Sequence, residues 1–333
     1  MKVRIERFAP GGAPTADFAF VRGRIGYPAP EDEVPADAEC LVAYDGGEPV
    51  ARRAFLTTAD LHGAPGPSGV VGWYEATDHD AGTALLVRAR ETLAERGAAR
   101  VLGPMNGSAW KRYRLALGPE AGEHVPAAFL TEPVNPPEYP GHFADAGFAV
   151  VAEYETRAAL RPAEWSAGAP AAPAAFEVRP LDPGRFDDEL RDAFELSLAA
   201  FAENRFYRPI GFEEFAASYR KMRPLLDPEL VRLARAADGR LLGFVFAFPD
   251  PFDREGGGHP RVVLKTLATS PDARGMGVGS RLTADVHRIA FDRGAPSVIH
   301  ALMSVDNTST RISGRHHGEP FRRYALYGWT PGS

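Results

Sequence analysis

The sequence has very little cysteine, no long apolar run and no excess of positive charge. Cys40 is the single cysteine among 333 residues, which excludes a disulfide framework and a metal site built from several thiolates. No apolar run is long enough to span a bilayer, and the first ten residues lack the apolar core of a secretory signal. We therefore expect a protein of the reducing cytoplasm that has no membrane partner.

The charge pattern disfavours nucleic acid as a partner. The formal net charge is −6, and no cluster of lysine and arginine is long enough to follow a phosphodiester backbone. Hydrophobic residues make up 44% and charged residues 25%, so the composition is that of an ordinary globular protein. Abundant alanine, arginine, glycine and proline favour a bacterial source with a GC-rich genome.

The clearest chemical pattern lies in the second half of the chain, between Val262 and Leu282. An apolar strand pattern leads through a Ser-Pro-Asp turn into a glycine-rich segment, and an amphipathic helix follows. Glycines at positions 275, 277 and 279 leave the loop without Cβ atoms, so its N–H groups can converge on one anion. The dipole of the following helix favours the same anion. The segment therefore predicts a phosphate-binding loop.

Two familiar phosphate loops do not fit this segment. A P-loop ends in Gly-Lys-Ser/Thr, whereas Gly279 is followed here by Ser280 and Arg281. A dinucleotide loop needs a third glycine or alanine where Ser280 stands, and an acidic residue that ends the next strand, which is absent. A glycine-rich turn without a ligand stays open as an alternative.

A third pattern fits: Arg274, Gly277 and Gly279 form an Arg-x-x-Gly-x-Gly arrangement after the strand. It resembles the acetyl-CoA pyrophosphate loop of the GNAT superfamily of N-acyltransferases. The resemblance implies acetyl-CoA, or another acyl-CoA, as co-substrate and no metal. It also implies which residues contact the cofactor. The strand residues Leu267 and Ala268 would contact the pantetheine arm. The loop residues would contact the pyrophosphate: Arg274, Gly275, Met276, Gly277, Val278, Gly279 and Ser280.

The chain divides into two similar halves. Residues 161–175 are rich in alanine and proline and predict a linker between domains at 1–160 and 176–333. Each half has a predicted hairpin, a further strand, a long helix and another strand, but Ala76–Gly82 before the first long helix has one glycine and no arginine. The resemblance therefore implies an α/β fold with two tandem GNAT-like domains, each a mixed, mostly antiparallel sheet flanked by helices. We expect the first copy to be degenerate and the second to bind CoA.

The resemblance further implies direct attack of a small-molecule amine on the acyl-CoA thioester. GNAT proteins often carry an asparagine and, two helical turns later, a tyrosine that protonates the leaving thiolate. Asn307 fits the asparagine, but Gly314 and Arg315 stand where the tyrosine is expected. Tyr324 is the candidate acid, with Tyr327 as a second possibility. The structural alternatives are a helix cap for Asn307 and a core residue for Tyr324.

Other residues and functions stay open. Two polar loops are candidate walls of the acceptor pocket: Asn204, Arg205 and Tyr207 in one, Glu132 and Asn135 in the other. Lys265 is expected in solvent, and adjacent histidines at 316 and 317 predict no metal site. The alternatives to an acetyl-CoA-dependent N-acyltransferase are a non-catalytic CoA sensor and a tandem GNAT transferase of the Fem-like or mycothiol-synthase-like type. The acidic charge argues against the tRNA substrate of Fem-type enzymes. The oligomeric state cannot be inferred from these patterns.

Overall fold

A computed structural model describes residues 3–13, 15–25, 32–58, 61–64, 66–118, 127–163, 175–253 and 258–332. Most of the predicted linker, residues 164–174, lies outside this description, so the division of the chain at 161–175 stays a prediction. Among the described helices, none has both the length and the apolar character that crossing a membrane requires.

The strands and helices are bounded as follows. The first half contains strands β1 (Arg4–Phe8), β2 (Glu39–Asp45), β3 (Glu48–Thr58), β4 (Ser68–Ala76), β5 (Arg100–Gly103), β6 (Leu115–Ala116) and β7 (Ala149–Leu160). The second half contains β8 (Glu177–Pro180), β9 (Val231–Arg235), β10 (Leu241–Pro249), β11 (Val262–Thr269), β12 (Ser297–Ser304) and β13 (Glu319–Trp329). The helices are α1 (Thr15–Ile25), α2 (His79–Glu95), α3 (Tyr139–Asp145), α4 (Phe186–Phe201), α5 (Phe212–Met222), α6 (Val278–Asp292) and α7 (Thr308–Arg315).

All these strands join one mixed sheet, which the seven described helices flank. The strand order is β1-β2-β3-β4-β5-β13-β7-β12-β11-β10-β9-β8, and β6 pairs with β13 at the side. Two neighbouring pairs, β4–β5 and β11–β12, are parallel, and the other pairs are antiparallel. The predicted α/β class with a mixed, mostly antiparallel sheet is confirmed.

The predicted internal repeat is visible in the order of elements. The series β2-β3-β4-α2-β5 in the first half matches β9-β10-β11-α6-β12 in the second. Parallel neighbours need a crossover, and a helix supplies it in both copies. The apolar faces of both helices are buried against the sheet: Leu85, Leu86, Ala89 and Leu93 on α2, and Val278, Leu282, Val286 and Ile289 on α6.

The two halves exchange their last strands. β13 from the second half lies between β5 and β7 and pairs with both. β7 from the first half lies between β13 and β12, so it is the neighbour of the second half's parallel pair. The exchange joins the two halves into a continuous sheet and places first-half residues beside β12.

The parallel strands β11 and β12 separate towards their carboxyl ends. They pair at three positions, the last being Leu264 with His300. Both strands are irregular at this level: β11 carries a bulge at Lys265, and β12 shifts its pairing with β7 around Leu302, whose φ is +58°. Ligands of α/β sheets bind at the carboxyl ends of parallel strands. The opening is called the β11–β12 gap below.

Candidate active site

The glycine-rich segment forms an open turn between β11 and α6. Gly275 has a φ of +85° and Gly277 a φ of +79°, a left-handed conformation that costs other L-residues about 1–2 kcal/mol. A Cβ atom placed on either glycine would meet no heavy atom of the described residues within 4 Å. Gly279 instead allows close packing, because its Cβ would lie 3.2 Å from the Ile312 side chain. The turn therefore presents bare backbone to open space.

The N-terminus of α6 is free to receive an anion. Its N-cap is Gly277, and within the described chain no side chain hydrogen-bonds to the first turn as a cap. The first N–H groups of a helix have no partner inside the helix. They carry a partial positive charge that binds phosphate well. The N-terminus of α6 is therefore open, and the phosphate loop at this place stays a prediction.

The equivalent helix of the first half carries its own carboxylates. Asp78 is the N-cap of α2 and its Oδ1 accepts a hydrogen bond of 2.8 Å from the Ala81 N–H. Asp80 adds a second acidic residue in the first turn. These negative charges satisfy the helix dipole and oppose a phosphate at the same place.

In the first half, the equivalent opening between the parallel strands β4 and β5 is filled by the chain itself. The Trp73 N–H donates to Asn106 Oδ1 at 2.8 Å, and the Met105 N–H donates to Val71 O at 2.8 Å. A Cβ on Gly72 would lie 2.3 Å from Met105 O, so the two segments are in close contact. The segment after β5 therefore occupies the space that stays open between β11 and β12.

The predicted pantetheine residues lie on the open edge of β11. Leu267 pairs with Val245 and Ala268 with Phe244, both on β10. The edge of β11 that faces β12 is unpaired beyond Leu264 among the described strands. An unpaired strand edge can hydrogen-bond an amide-containing ligand as an added strand would.

Among the remaining predicted cofactor residues, Arg274 and Met276 have exposed side chains at the turn, Ser280 is partly buried, and Val278 is buried against the sheet. Arg274 Nη2 lies 3.2 Å from Glu203 Oε2, and both side chains are exposed. Met276 is 43% exposed, and Ser280 Oγ accepts a long hydrogen bond of 3.5 Å from Arg315 Nη1. The structure thus brings the loop after α4 and the end of α7 to the rim of the turn.

Asn307 caps the helix that follows β12. Its Oδ1 accepts a hydrogen bond of 3.3 Å from the Ser309 N–H at the start of α7, and the residue is exposed. The carboxamide therefore has a structural use, and any catalytic role stays a prediction.

Tyr324 is fully buried at the strand exchange. Its hydroxyl donates to Glu132 Oε1 and lies 3.0 Å from Thr156 Oγ1. Thr156 Oγ1 in turn accepts the Leu302 N–H at 3.2 Å. One hydrogen-bonded chain therefore runs from the distorted part of β12 through β7 and β13 to Glu132.

The charges around this chain are paired. Glu132 also binds the Arg322 guanidinium and accepts the Phe129 N–H at 3.1 Å. Burial raises the pKa of Glu132, while the Arg322 charge and the Tyr324 hydrogen bond oppose that rise. Burial, followed by the charge of Glu132, raises the pKa of Tyr324 well above its ordinary value. The phenol is therefore firmly protonated.

Two cations border the β11–β12 gap. Lys265 is the bulged residue of β11 and is half-buried rather than solvated, because the bulge turns it away from the regular alternation. Burial, and second the charge of Arg114, lowers its pKa to about 8. Arg114 donates from Nη1 to Leu302 O at 3.1 Å, directly on β12.

The two predicted acceptor loops have structural contacts. Arg205 donates to Val151 O at 2.5 Å, and the Tyr207 carbonyl accepts the His62 N–H at 2.9 Å, so the loop after α4 is attached to the first half. Asn135 accepts the Ala116 N–H at 2.7 Å and so holds β6.

Sequence patterns did not reveal Thr156, Arg114 or Arg322, which the structure places beside the gap or in the chain that reaches it. All three residues come close to the gap or to this hydrogen-bonded chain through contacts between segments that are far apart in the sequence. The centre of the His316 ring lies 4.6 Å from that of the His287 ring. The described residues contain no cluster of His, Cys, Asp or Glu with metal-binding geometry.

The fold of the whole chain is that of tandem GNAT proteins. It aligns with the tandem GNAT protein of the clavulanic acid biosynthesis pathway over 100% of this chain and 99% of that one, with a TM-score of 0.56 and 16% identity. It aligns with a GCN5-related N-acetyltransferase from Sphaerobacter thermophilus over 99% and 97% of the two chains, with a TM-score of 0.53 and 19% identity.

Sequence comparison finds similarity to GNAT acetyltransferases. Residues 187–311 match the family model of the Acetyltransferase (GNAT) family. Mycothiol acetyltransferase of Cellulomonas flavigena is 28% identical over 302 residues, which cover 86% of this chain and 81% of the relative. The family match falls on the half that carries the open turn, and the fold of the chain is that of tandem GNAT proteins.

Proposed function

We propose that the protein transfers an acetyl group from acetyl-CoA to the amine of a small-molecule acceptor. The observation that carries this proposal is the start of α6 beside the β11–β12 gap, which no side chain caps and which follows two glycines with open space at their Cβ positions. One edge of β11 joins the two features, so a ligand with a phosphate end and an amide arm fits both. The similarity to a mycothiol acetyltransferase supports an acceptor of small-molecule size.

The residues then have the following roles. Backbone N–H groups between Gly275 and Ser280 hold the pyrophosphate, and the free edge at Leu267 and Ala268 pairs with the pantetheine arm. The thioester carbonyl enters the gap, where a backbone N–H polarises it as the charge on its oxygen grows. The neutral amine attacks the carbonyl carbon, the C–S bond breaks, and the CoA thiolate takes a proton while the new amide nitrogen loses one.

Calorimetric titration of the protein with acetyl-CoA is expected to give a dissociation constant in the micromolar range, about −8 kcal/mol. CoA should bind with similar strength, because the pyrophosphate and pantetheine provide most contacts. NAD should not bind measurably, since its pyrophosphate lacks the pantetheine arm. Equal binding of NAD, or no binding of acetyl-CoA, would remove the cofactor assignment.

For Tyr324 we propose a positioning role through Thr156 and Leu302, while the acid role stays the alternative. Tyr324→Phe breaks the chain between Thr156 and Glu132. We expect a loss of stability of about 1–2 kcal/mol, a fall in kcat of tenfold or less, and an unchanged pH profile. Loss of a general acid instead lowers kcat by about 10²–10⁴ and removes a limb of the pH profile. Steady-state kinetics across pH separate the two roles.

Tyr327→Phe is the matched control for that measurement. Tyr327 lies on the same strand but packs against Phe143, on the side of the sheet that α2 covers. The control should leave kcat unchanged. Equal losses in both variants would mean that the effect comes from the strand and not from the Tyr324 hydroxyl.

A non-catalytic CoA-binding protein is the second candidate. It is favoured by the fact that the side chains of Asn307 and Tyr324 both make hydrogen bonds within the protein. Micromolar CoA binding without turnover of any primary amine would support it over the enzyme. A tandem transferase of the mycothiol-synthase-like type is a special case of the first proposal, and its acceptor would show turnover.

A further inference from the structure

We propose that Lys265 and Arg114 form a subsite at the β11–β12 gap for an anionic group of the acceptor, a carboxylate or a phosphate. The inference rests on the proposed acyl transfer and adds to it the chemical class of the acceptor. An amine that also carries a negative charge would place its anion between these two cations and its nitrogen at the thioester.

Arg114 is held rigidly in place. Its guanidinium carbon lies 3.8 Å from the centre of the Tyr113 ring and 3.9 Å from that of the Tyr154 ring. Its backbone has a φ of +71°, which is strained for a residue with a side chain. Its Nη1 bonds Leu302 O, while its buried Nε has no hydrogen-bond partner among the described residues. The side chain is thus oriented by stacking and by one carbonyl.

Lys265 has no carboxylate partner in the described part of the chain. Lys111, by contrast, lies 3.6 Å from Glu214. Lys265 also faces the charge of Arg114, and this charge adds to burial in lowering its pKa to about 8. Two neighbouring cations without a counter-ion disfavour each other. A bound anion would remove that repulsion.

Arg114 lines a small cavity of the first half together with Trp73, Arg112 and Asn135. Lys265 reaches the subsite from the other side, on β11. The strand register places Lys265 one residue beyond the last β11–β12 pair, where the strands have begun to separate. An acceptor lying there spans the two halves. The pyrophosphate of CoA is assigned to the turn beyond the end of β11 at Thr269, further along the chain than Lys265, so it does not compete for this place.

A spectroscopic test uses the small number of lysines. The sequence has four, so lysine labelled with ¹³C at Cε gives four resonances, and Lys265→Met assigns one of them. The protein is saturated with CoA to fill the glycine turn and is then titrated with malonate or inorganic phosphate. The midpoint for Lys265 should rise from about 8 by about one pH unit with either probe. The Lys221 resonance is the internal control and should not move.

A kinetic test compares matched acceptors that differ in charge. Glycine is compared with glycinamide, and phosphoethanolamine with ethanolamine. Lys265→Met should reduce kcat/KM for the charged member of a pair by about tenfold or more, through KM, and leave the neutral member within twofold. Lys221→Met is the matched control and should change neither.

Two results would overturn the subsite. One is a Lys265 resonance that responds to neither anion. The other is a Lys265→Met variant that loses kcat equally on charged and neutral acceptors, which would identify the lysine as the proton acceptor for the amine. Absence of CoA binding or of any turnover would count against the proposed function instead, because the spectroscopic test measures the anion directly.

Discussion

Gly277→Glu is expected to weaken acetyl-CoA binding by about 100-fold or more, roughly 2.7 kcal/mol, while the protein stays folded. The substitution places a side chain and a negative charge at the N-terminus of α6, where the pyrophosphate is assigned. The φ of +79° adds strain of about 1–2 kcal/mol, which the fold can bear because the new Cβ meets no described atom within 4 Å. Calorimetry gives the affinity, and circular dichroism checks the fold.

Gly97→Glu is the matched control for this loss. Gly97 follows α2 with a φ of +87°, and a Cβ there would likewise meet no described atom within 4 Å. The two variants therefore carry the same charge and a similar backbone strain. Gly97→Glu should bind acetyl-CoA as the unaltered protein does. If Gly277→Glu also keeps its affinity, the pyrophosphate does not bind at α6.

The glycine turn could be predicted because its signals are local. A left-handed turn needs glycine at Gly275 and Gly277, and the apolar spacing of α6 follows within a few residues. The contrast with the first half was equally local, since Ala76–Gly82 lacks the arginine and two of the three glycines. The structure adds that Asp78 already caps α2, which is a physical reason to assign the anion to α6 and not to α2.

The surroundings of the gap could not be predicted, because long-range pairing creates them. Alternation along β13 shows on which face Tyr324 lies, but not that β7 brings Thr156 beside it. The alternation of the strand predicts that Lys265 is solvated. The bulge that buries it depends on the register of β11 with β10, which the sequence pattern does not show. Arg114 reaches β12 from a loop of the first half, a contact over 188 residues of sequence.

A buried pair of histidines should make the protein sensitive to acid. The Nε2 atoms of His287 on α6 and His300 on β12 lie 2.8 Å apart, and both side chains are buried. Burial is the largest cause that lowers the pKa of His287, to about 2, and the neighbouring His300 and His316 lower it further. Burial is also the largest cause that lowers the pKa of His300, to about 3, followed by the charges of His316 and Arg157. The folded protein therefore keeps both rings neutral.

The sign of the pH effect follows from the unfolded state, in which histidine titrates near 6.5. Below this pH the two histidines bind protons in the unfolded chain but not in the folded chain. The free energy of unfolding therefore falls as the pH falls. The stabilisation is complete above about pH 6.5 and is lost progressively towards pH 3. Each histidine contributes a slope of up to about 1.4 kcal/mol per pH unit in this window. Urea unfolding between pH 7 and pH 4.5 measures the slope.

His300→Gln removes one of the two titrating rings and keeps an amide that can hydrogen-bond to His287. Below pH 6 its slope should be smaller by about 1.4 kcal/mol per pH unit than that of the unaltered protein, because one fewer group takes up a proton on unfolding. His259→Gln changes an exposed histidine and should leave the slope unchanged. Carboxylates protonate alike in all three proteins, so their contribution cancels in the comparison. Parallel slopes for His300→Gln and the unaltered protein would mean that the pair opens and titrates within the folded state.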